Sequence, residues 1–407
     1  MRALSVDFRY DIQRVFDFRT VGMPSPNRII FGCGAIDQVG EEASRLAKGK
    51  ALLVSDEIIA ELGIVEKVKA KLEGSGFEVG TFTGVEAEPH IETAIALYEL
   101  NAGKAFEVIV GIGGGSVLDM TKLASQSIGN RIDPRKIVRG EAVPEARGIP
   151  MILAPTTSGT GSEASPIFVV TDGQNKVFKN NPLYYPAISI VDPVLTVSMP
   201  PRVTATTGLD ALSHAIEGMM NKNANPLSDI FGIGGIELAG AYLRRAVANG
   251  QDLEARYYMS LASTISMLGM VMSGGLYAHS IAYIISKYKP TAHGLGCALG
   301  LPYTMAFNVP AASAKLARIA EALGETTAMF SELDAAKLAA QSIFCMMDDV
   351  GLPVSLEEYG GISEDDLEKA AETMLELYPR PLNPRPMSRE DAIRLWHNMW
   401  EGSLSYY

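Results

Sequence analysis

The alternation of short apolar runs with amphipathic stretches in the first half of the chain constrains its fold most. Six runs rich in β-branched residues have the length of buried strands, and they cover residues 28–32, 51–56, 77–84, 106–113, 149–155 and 187–192. Helical patterns such as IVEKVKAKLEGSG lie between them, and this one ends in glycine, where a helix is expected to stop. Strand–helix–strand alternation predicts a parallel sheet with helices on both faces.

The second half of the chain has a different character. After Pro200 it is rich in Ala, Leu and Met, with helix punctuation and no convincing strand. A chain of 407 residues is long for one hydrophobic core, and the double proline of SMPPRV marks a boundary. We therefore predict two domains, an α/β domain over residues 1–200 and an all-helical domain over residues 201–407.

Composition limits the partners and the compartment. A net charge of −12 argues against a nucleic-acid partner, which would need clustered Lys and Arg. The three cysteines lie far apart and form neither a disulfide framework nor a Cys-x-x-Cys metal motif, which favours a reducing compartment. The first twenty residues lack the apolar core of a signal peptide. We therefore expect a cytoplasmic protein.

One uncharged segment, residues 257–286, is long enough to span a bilayer. It is rich in Ser, Ala and Gly, is interrupted by Gly274 and Gly275, and contains His279. Flanking basic clusters and aromatic belts are missing from its sequence. We interpret it as buried helices at the centre of the helical domain, and we expect no membrane partner.

A glycine-rich turn follows the fourth predicted strand, in the sequence FEVIVGIGGGSVLDMTKLAS. Glycines there let the backbone approach a phosphate, and the N–H groups of the helix start attract the anion. The residues so placed are Gly113, Gly114, Gly115 and Ser116, followed on the helix by Asp119 and Lys122. The strict G-x-G-x-x-G fingerprint fails at its last position, so a tight strand–helix turn without a ligand remains the alternative.

A second donor-rich loop follows the fifth predicted strand, in the sequence MILAPTTSGTGSEAS. Its hydroxyl groups belong to Thr156, Thr157, Ser158, Thr160 and Ser162. A polar loop that caps a helix is the simpler interpretation. Two such loops, each directly after a parallel strand, are better explained by one extended phosphate ligand that crosses the ends of the sheet.

Asp56 ends the strand ALLVSD, where a carboxylate could accept hydrogen bonds from an adenosine ribose. Such an acid would repel the 2′-phosphate of NADP, so NAD is favoured. In a Rossmann unit this acid follows the glycines by some twenty residues, whereas here it precedes them. Either Asp56 is only a cap at the end of the strand, or the fold is a different dinucleotide binder.

Three of the five histidines fall in the helical half and indicate a metal site. Asp210 and His214 are four residues apart, so they share one face of a helix, although a solvated pair is the usual explanation of that spacing. His279 lies in the uncharged segment, where burial without a partner would be costly, and His293 follows it. One Asp and three His suit Fe²⁺ or Zn²⁺, which would act as a Lewis acid.

These motifs resemble the iron-containing (group III) alcohol dehydrogenases. The matching segments GGGSVLDMTK, PTTSGTGSE, VDPVLTVSMPP, TATTGLDALSHAIEG, GGLYAHSIAYIISKYKPTAHG and NPRP occur in the family's order over roughly residues 25–400. The resemblance implies an α/β dinucleotide-binding domain followed by an all-α domain, as in the dehydroquinate synthase-like fold, with the active site between them. It also implies NAD, iron (with zinc or another divalent cation as the alternative), a small alcohol or aldehyde substrate and a homodimer.

The resemblance also assigns individual roles. It implies metal ligation by Asp210, His214, His279 and His293, which would act in catalysis through the metal. The cofactor would contact Asp56 at its ribose and Gly114, Gly115 and Ser116 at its pyrophosphate, with Thr156, Thr157, Thr160 and Lys176 completing the cleft. From the glycine turn and the helix after it we add Gly113 and Asp119 to the predicted cofactor residues.

Three positions depart from the family pattern or add to it. Tyr283 replaces a histidine that many members carry ten residues before the last ligand, and it is a candidate for proton relay. Glu88 replaces an asparagine that commonly contacts the cofactor, and we expect it to point to solvent. Arg380 is either solvent-exposed or reads an anionic group of the substrate.

Other residues near these motifs are interpreted as structural. They are His90, Arg385, His397 and Cys297, the last being read as a small packing residue.

The predicted reaction is the reversible oxidation of an alcohol to an aldehyde or ketone, with hydride transfer to NAD. The nearest alternatives are sister enzymes of the same fold, such as a glycerol dehydrogenase or a dehydroquinate-synthase-like lyase. An alternative from another functional class is a binding protein whose structure the metal stabilises and which catalyses no reaction. A metal-dependent hydrolase would leave both glycine-rich loops unexplained.

Overall fold

A computed structural model describes residues 22–101, 103–173 and 175–406; the predicted absence of a signal peptide concerns residues outside these ranges. The strands are β1 (Arg28–Phe31), β2 (Lys50–Val54), β3 (Glu78–Phe82), β4 (Val108–Gly113), β5 (Met151–Pro155), β6 (Ile167–Asp172), β7 (Asn175–Asn180) and β8 (Ile188–Val191). Six of them form one sheet in the order β1-β8-β5-β4-β2-β3, with every neighbouring pair parallel. Each of the six predicted strands is found, so the predicted parallel sheet is confirmed.

Helices cover both faces of the sheet, as parallel topology requires. Those of the first half are α1 (Val39–Leu46), α2 (Glu57–Glu61), α3 (Ile64–Gly74), α4 (Ile91–Leu100), α5 (Gly115–Asn130) and α6 (Pro134–Arg139). One buried cluster packs Leu52, Ile109 and Leu153 on one face, while a second packs Leu53, Val110 and Ile152 on the other. Successive residues of a strand point to opposite faces, so both faces of the sheet are apolar.

The hairpin formed by β6 and β7 was not predicted. The two strands pair antiparallel from Ile167↔Asn180 to Asp172↔Asn175, and they stand apart from the main sheet. Phe168 and Val170 are buried while Phe178 is half exposed, so only part of the hairpin belongs to the core. We missed this short hairpin because it lies in sequence between two parallel strands, where we expected only helices.

From residue 201 to residue 406 all regular structure is helical. The helices are α7 (Pro201–Met220), α8 (Pro226–Ala248), α9 (Leu253–Ser273), α10 (Tyr277–Tyr288), α11 (His293–Ala322), α12 (Glu332–Asp349), α13 (Leu356–Tyr359), α14 (Leu367–Leu377) and α15 (Arg389–Glu401). Their apolar faces form one large core, which includes Leu209, Ile281 and Leu299. The prediction of an α/β region followed by an all-helical region is confirmed.

The uncharged segment divides into two helices. α9 ends at Ser273, and α10 begins at Tyr277 after a bend of 104°. Gly274 occupies the bend with a φ of 104°, a conformation that other residues rarely adopt. Among the described residues no single helix is long and apolar enough to cross a membrane, although this bent pair passes that test by length and composition.

Candidate functional site

The order of the strands brings the predicted cofactor residues to one edge of the sheet. β4 lies between β2 and β5, with Val54 opposite Gly111 and Gly113 opposite Pro155. Because the strands are parallel, the segments that follow them meet at the carboxyl edge. Asp56, the glycine turn and the hydroxyl-rich loop are therefore neighbours, although Asp56 precedes the glycines in sequence.

The glycine turn leads into an uncapped helix. α5 begins at Gly115 after Gly114, and no side chain caps its first N–H groups. Gly114, Gly115 and Ser116 are partly exposed, so these N–H groups face an accessible space. The Ser116 hydroxyl donates to the carbonyl of Ala87 at 2.6 Å and is already engaged. A 16-residue helix with free N–H groups at the end of a buried strand is suited to a phosphate.

The hydroxyl-rich loop, residues 156–162, connects the sheet to the helical half. The backbone N–H of Thr156 donates to the Gly113 carbonyl at 2.9 Å, which ties this loop to the glycine turn. Ser158 Oγ lies 3.0 Å from Ser260 Oγ on α9. Thr157 and Thr160 keep partly exposed side chains on the same edge. The loop also approaches α7, since a Cβ atom at Gly159 would lie 2.6 Å from the Thr207 carbonyl oxygen. It therefore borders both the predicted cofactor cleft and a helix that carries predicted metal ligands.

Asp119 has a structural role that the sequence did not reveal. Its Oδ1 accepts from Ser162 Oγ at 2.6 Å and its Oδ2 accepts from the Val169 N–H at 2.8 Å. Burial raises its pKa against the opposing charge of Lys122, whose Nζ lies 3.7 Å away. Asp119 thus fastens the hydroxyl-rich loop and β6 to α5. Its predicted contact with the cofactor stays a prediction.

Asp56 caps a helix and lies at the predicted ribose position. Its Oδ1 accepts from the Ile59 N–H at 2.9 Å at the start of α2. The residue is half buried, and burial raises the pKa of its carboxyl group. A capping carboxylate can still accept from a ribose through its second oxygen, so the two interpretations given for Asp56 are compatible.

Lys176 and Glu88 form an ion pair beside the cleft. Lys176 Nζ, on β7, lies 3.1 Å from Glu88 Oε1. We had expected Glu88 to point freely to solvent. Instead, its carboxylate forms an ion pair with Lys176. The positive charge of Lys176 also lowers the pKa of His293.

The four predicted metal ligands approach one another from three helices. Three of them, Asp210, His279 and His293, belong to a group whose ligand atoms all lie within 4.8 Å of one another, while His214 does not. Asp210 and His214 lie on α7, His279 on α10 and His293 at the first position of α11. Asp210 Oδ1 is 3.9 Å from both His214 Nε2 and His293 Nε2. The His279 ring lies between the other two, with centroids 5.0 Å from His214 and 5.3 Å from His293.

Gly294 explains why α11 can approach α7 so closely. A Cβ atom at this position would lie 2.3 Å from the Thr206 carbonyl oxygen and 3.0 Å from Asp210 Cβ. Only glycine leaves room for this contact between backbones. The close approach places His293, the preceding residue, beside Asp210.

The cluster fits a divalent cation because its polar atoms are buried and unsatisfied. Asp210 is 2% exposed and His279 is 5% exposed. Among the described residues, Asp210 Oδ1 and His279 Nε2 have no hydrogen-bond partner. Leaving such atoms unpaired costs about 1–3 kcal/mol each. Carboxylate oxygen and imidazole nitrogen are donors that Fe²⁺ and Zn²⁺ accept.

His214 and His293 are held neutral, as ligation requires. Burial lowers the pKa of His214 to about 4, against the opposing effect of Asp210. Burial also lowers the pKa of His293 well below its ordinary value, assisted by His279 and Lys176. Neutral imidazoles keep a lone pair for a cation at physiological pH.

Glu217 orients His279, and the sequence analysis missed it. His279 Nδ1 donates to Glu217 Oε2 at 2.5 Å, so Nε2 keeps its lone pair toward the cluster. The backbone N–H groups of Leu276 and Ala278 also donate to this carboxylate, at 2.8 and 2.6 Å. Burial alone would raise the pKa of Glu217, but His279 and the backbone donors lower it. Its position seven residues after Asp210, on the same face of α7, was the available signal.

Tyr283 lies at the cluster, as predicted. Its ring stacks on His293 with centroids 5.5 Å apart at 24° and contacts Tyr378 at 5.0 Å. Burial raises the pKa of its hydroxyl group. The position is suited to proton relay, which stays a prediction.

Arg380 is half buried rather than freely exposed. It donates through Nε to Ser280 Oγ at 2.8 Å and is 3.5 Å from the Gly275 carbonyl. It therefore supports α10, and its charge also counteracts the rise in the pKa of Tyr283 and lowers the pKa of His293. Binding of an anionic group of the substrate stays a prediction.

Cys297, which we interpreted as a packing residue, also has its thiol at the cluster. One ligand atom each of Asp210, His279, His293 and Cys297 lies within 4.8 Å of the others. The thiol is completely buried at the cluster, and burial raises its pKa well above the ordinary value.

The remaining residues lie in the positions expected of structural ones. Arg385 donates to the Phe307 carbonyl at 3.2 Å, and His90 precedes α4. His397 lies within α15, next to the fully buried Trp396.

Comparison with known proteins matches almost the whole chain. The family described as "Iron-containing alcohol dehydrogenase" matches residues 26–193, and "Fe-containing alcohol dehydrogenase family, C-terminal" matches residues 204–400. Long-chain-alcohol dehydrogenase 1 of Geobacillus thermodenitrificans (strain NG80-2) is 35% identical over 389 residues, which cover 93% of this chain and 98% of that protein.

Solved structures share the fold. The crystal structure of a 1,3-propanediol oxidoreductase has a TM-score of 0.90 at 32% identity, and the match covers 94% of this chain and 100% of that one. A sulfoacetaldehyde reductase from Bifidobacterium kashiwanohense, solved in complex with NAD⁺, has a TM-score of 0.84 at 26% identity, with coverages of 94% and 99%. The chain belongs to the iron-containing alcohol dehydrogenase family, and the resemblance inferred from its motifs is confirmed.

Proposed function

We propose that this chain is an NAD(H)-dependent, divalent-metal-dependent oxidoreductase that interconverts a small alcohol and its aldehyde or ketone. The observation that carries the proposal is the cluster of Asp210 and three histidines, with buried unsatisfied atoms on Asp210 and His279, which the hydroxyl-rich loop connects to the start of α5. The cation site would polarise the substrate oxygen, and the helix start would bind the phosphates of a dinucleotide.

Asp210, His214, His279 and His293 would hold the cation. A divalent ion there supplies a Lewis acid toward the substrate oxygen. Iron is the expectation from the family, with zinc as the alternative, because imidazole and carboxylate accept both. Glu217 holds the His279 ring in its orientation.

The cofactor would lie along the carboxyl edge of the sheet. The start of α5 would receive the pyrophosphate, Thr156, Thr157 and Thr160 would line the cleft, and Lys176 would reach toward the nicotinamide end. Tyr283, stacked on His293, would exchange the hydroxyl proton of the substrate with solvent. We place the domain boundary near Pro200, where the α/β region ends, and expect a cytoplasmic homodimer.

A substrate panel with measured metal content tests the proposal. We expect short alcohols to produce NADH, chelation to abolish turnover, and Fe²⁺ or Zn²⁺ to restore it. A polyol specificity would identify a glycerol-type enzyme instead. A lyase would consume substrate without net NADH, and a binding protein would bind metal without any turnover.

Asp56→Asn is expected to relax the preference for NAD. The amide keeps the N-cap hydrogen bond to Ile59 but removes the charge that repels a 2′-phosphate. The ratio of kcat/KM with NAD to that with NADP should fall about tenfold, on the order of 1.4 kcal/mol. Asp133→Asn, at the N-cap of α6, is the matched control and should leave the ratio unchanged. An unchanged ratio in Asp56→Asn would exclude a contact with the ribose.

Gly114→Ala is expected to weaken NAD binding without destabilising the protein. Its Cβ would be 3.5 Å from Thr157 Cγ2, an ordinary contact, yet it would fill space that the pyrophosphate needs. We expect the KM for NAD to rise about tenfold and the melting temperature to stay constant. Gly74→Ala is the control, since its Cβ would meet nothing within 4 Å. A KM as in the wild type would place the cofactor elsewhere.

A further inference from the structure

Cys297 lies where a ligand of the metal centre would lie. It follows His293 by four residues on α11, so both side chains share one face of the helix. Its Sγ is 3.5 Å from His293 Nε2, and the side chain is completely buried. The same group of mutually close ligand atoms includes Asp210 and His279.

The separation agrees with shared coordination. Donors at about 2.0–2.3 Å from one ion stand roughly 3.0–3.7 Å apart, and the 3.5 Å from Cys297 Sγ to His293 Nε2 lies in this range. The distance also suits a weak S–H···N hydrogen bond, so geometry to His293 alone does not decide between the two.

The unsatisfied neighbours decide in favour of ligation. Asp210 Oδ1 and His279 Nε2 are buried without a hydrogen-bond partner in the described part of the chain. A thiol that donates to His293 or Asp210 still leaves His279 Nε2 unsatisfied, whereas one cation at the common centre satisfies Asp210, His279, His293 and Cys297 together. A sulfur atom beside these atoms is therefore placed for the same ion.

We propose that Cys297 binds the divalent ion through its thiolate, together with the Asp and His ligands. This inference rests on the metal centre of the proposed function. On binding, the S–H proton leaves to solvent and a sulfur–metal bond forms, with no change of oxidation state. A soft sulfur ligand moves the preference of the site from Fe²⁺ toward Zn²⁺ and Co²⁺.

Cobalt(II) substitution tests the proposal by a spectrum rather than by activity. The reference protein is Cys33→Ser/Cys345→Ser, which removes both exposed cysteines and leaves Cys297 as the one thiol of the chain. After chelation and addition of Co²⁺, we expect a near-ultraviolet thiolate-to-cobalt charge-transfer band beside the visible bands of bound cobalt. Adding Cys297→Ser should remove the charge-transfer band and keep the visible bands.

The possible outcomes separate the two proposals. Visible bands without a charge-transfer band in the reference protein would overturn the cysteine inference and leave the metal centre intact. No cobalt binding at all would contradict the proposed function itself. If Cys297→Ser fails to fold, the reference protein still decides, because it contains no other thiol.

A metal competition gives a second measurement. Against a chelator, the zinc affinity of Cys297→Ser should fall about tenfold or more relative to the reference protein, and the Fe²⁺ affinity should fall less. Equal losses for both metals would contradict a soft ligand at this position.

Discussion

Asp210→Asn protein should fold, retain NADH binding and lose its metal together with nearly all of its activity. The amide has the size of the carboxylate, but it removes the negative charge that lies 3.9 Å from His214 Nε2 and from His293 Nε2. The stabilisation of charge in the transition state by a metal is worth several kcal/mol, so we expect kcat/KM to fall roughly 10³-fold. Metal content by mass spectrometry and NADH formation are the measurements.

The control for this variant lies on the same helix. Ser213 is buried beside His214 and donates to the Leu209 carbonyl, so Ser213→Ala perturbs α7 without touching a ligand. It should keep its metal and most of its activity. NADH fluorescence should report cofactor binding in both variants, because the start of α5 lies in the other half. Turnover by a metal-free Asp210→Asn enzyme would refute the proposed function.

The fold was predictable from the sequence because its strands are continuous apolar runs. A strand that is buried on both faces has no polar positions, and the sequences of β4 and β5 contain none. The inverted order of Asp56 and the glycines is resolved by the topology. β2 and β4 are neighbours in the sheet although β3 lies between them in sequence, so the acid and the glycines meet.

The metal cluster was partly predictable for a related reason. An ionisable residue such as His279 within a long uncharged segment implies a buried partner, and the spacing of Asp210 and His214 offered one. The positions of Cys297 and Glu217 depend on how α7, α10 and α11 pack. Gly294 sets that packing through its contact with Thr206, and no periodicity in the sequence reports the contact. From the sequence alone, Cys297 and Glu217 therefore look like ordinary buried residues, and only the packing of the helices shows their place at the cluster.

Glu217→Gln is expected to weaken metal binding by about 10- to 100-fold while the protein remains folded. The carboxylate accepts from His279 Nδ1 and from the N–H groups of Leu276 and Ala278, so it fixes both the histidine and the start of α10. A glutamine offers one acceptor oxygen, and its amide group opposes a donor. The His279 ring is then free to rotate away from the metal.

Stability alone would not identify this positioning role, so the control must be an equally buried acid. Glu163 is 1% exposed, accepts from Thr264 Oγ1 at 2.8 Å and touches no member of the cluster. Glu163→Gln and Glu217→Gln should both lower the melting temperature, since each disturbs a buried carboxylate. Only Glu217→Gln should lower the affinity for Zn²⁺ or Fe²⁺ in a chelator competition, and excess metal should restore its kcat toward the wild-type value. Equal metal affinities in the two variants would show that Glu217 only caps the start of α10 and does not position His279 for the metal.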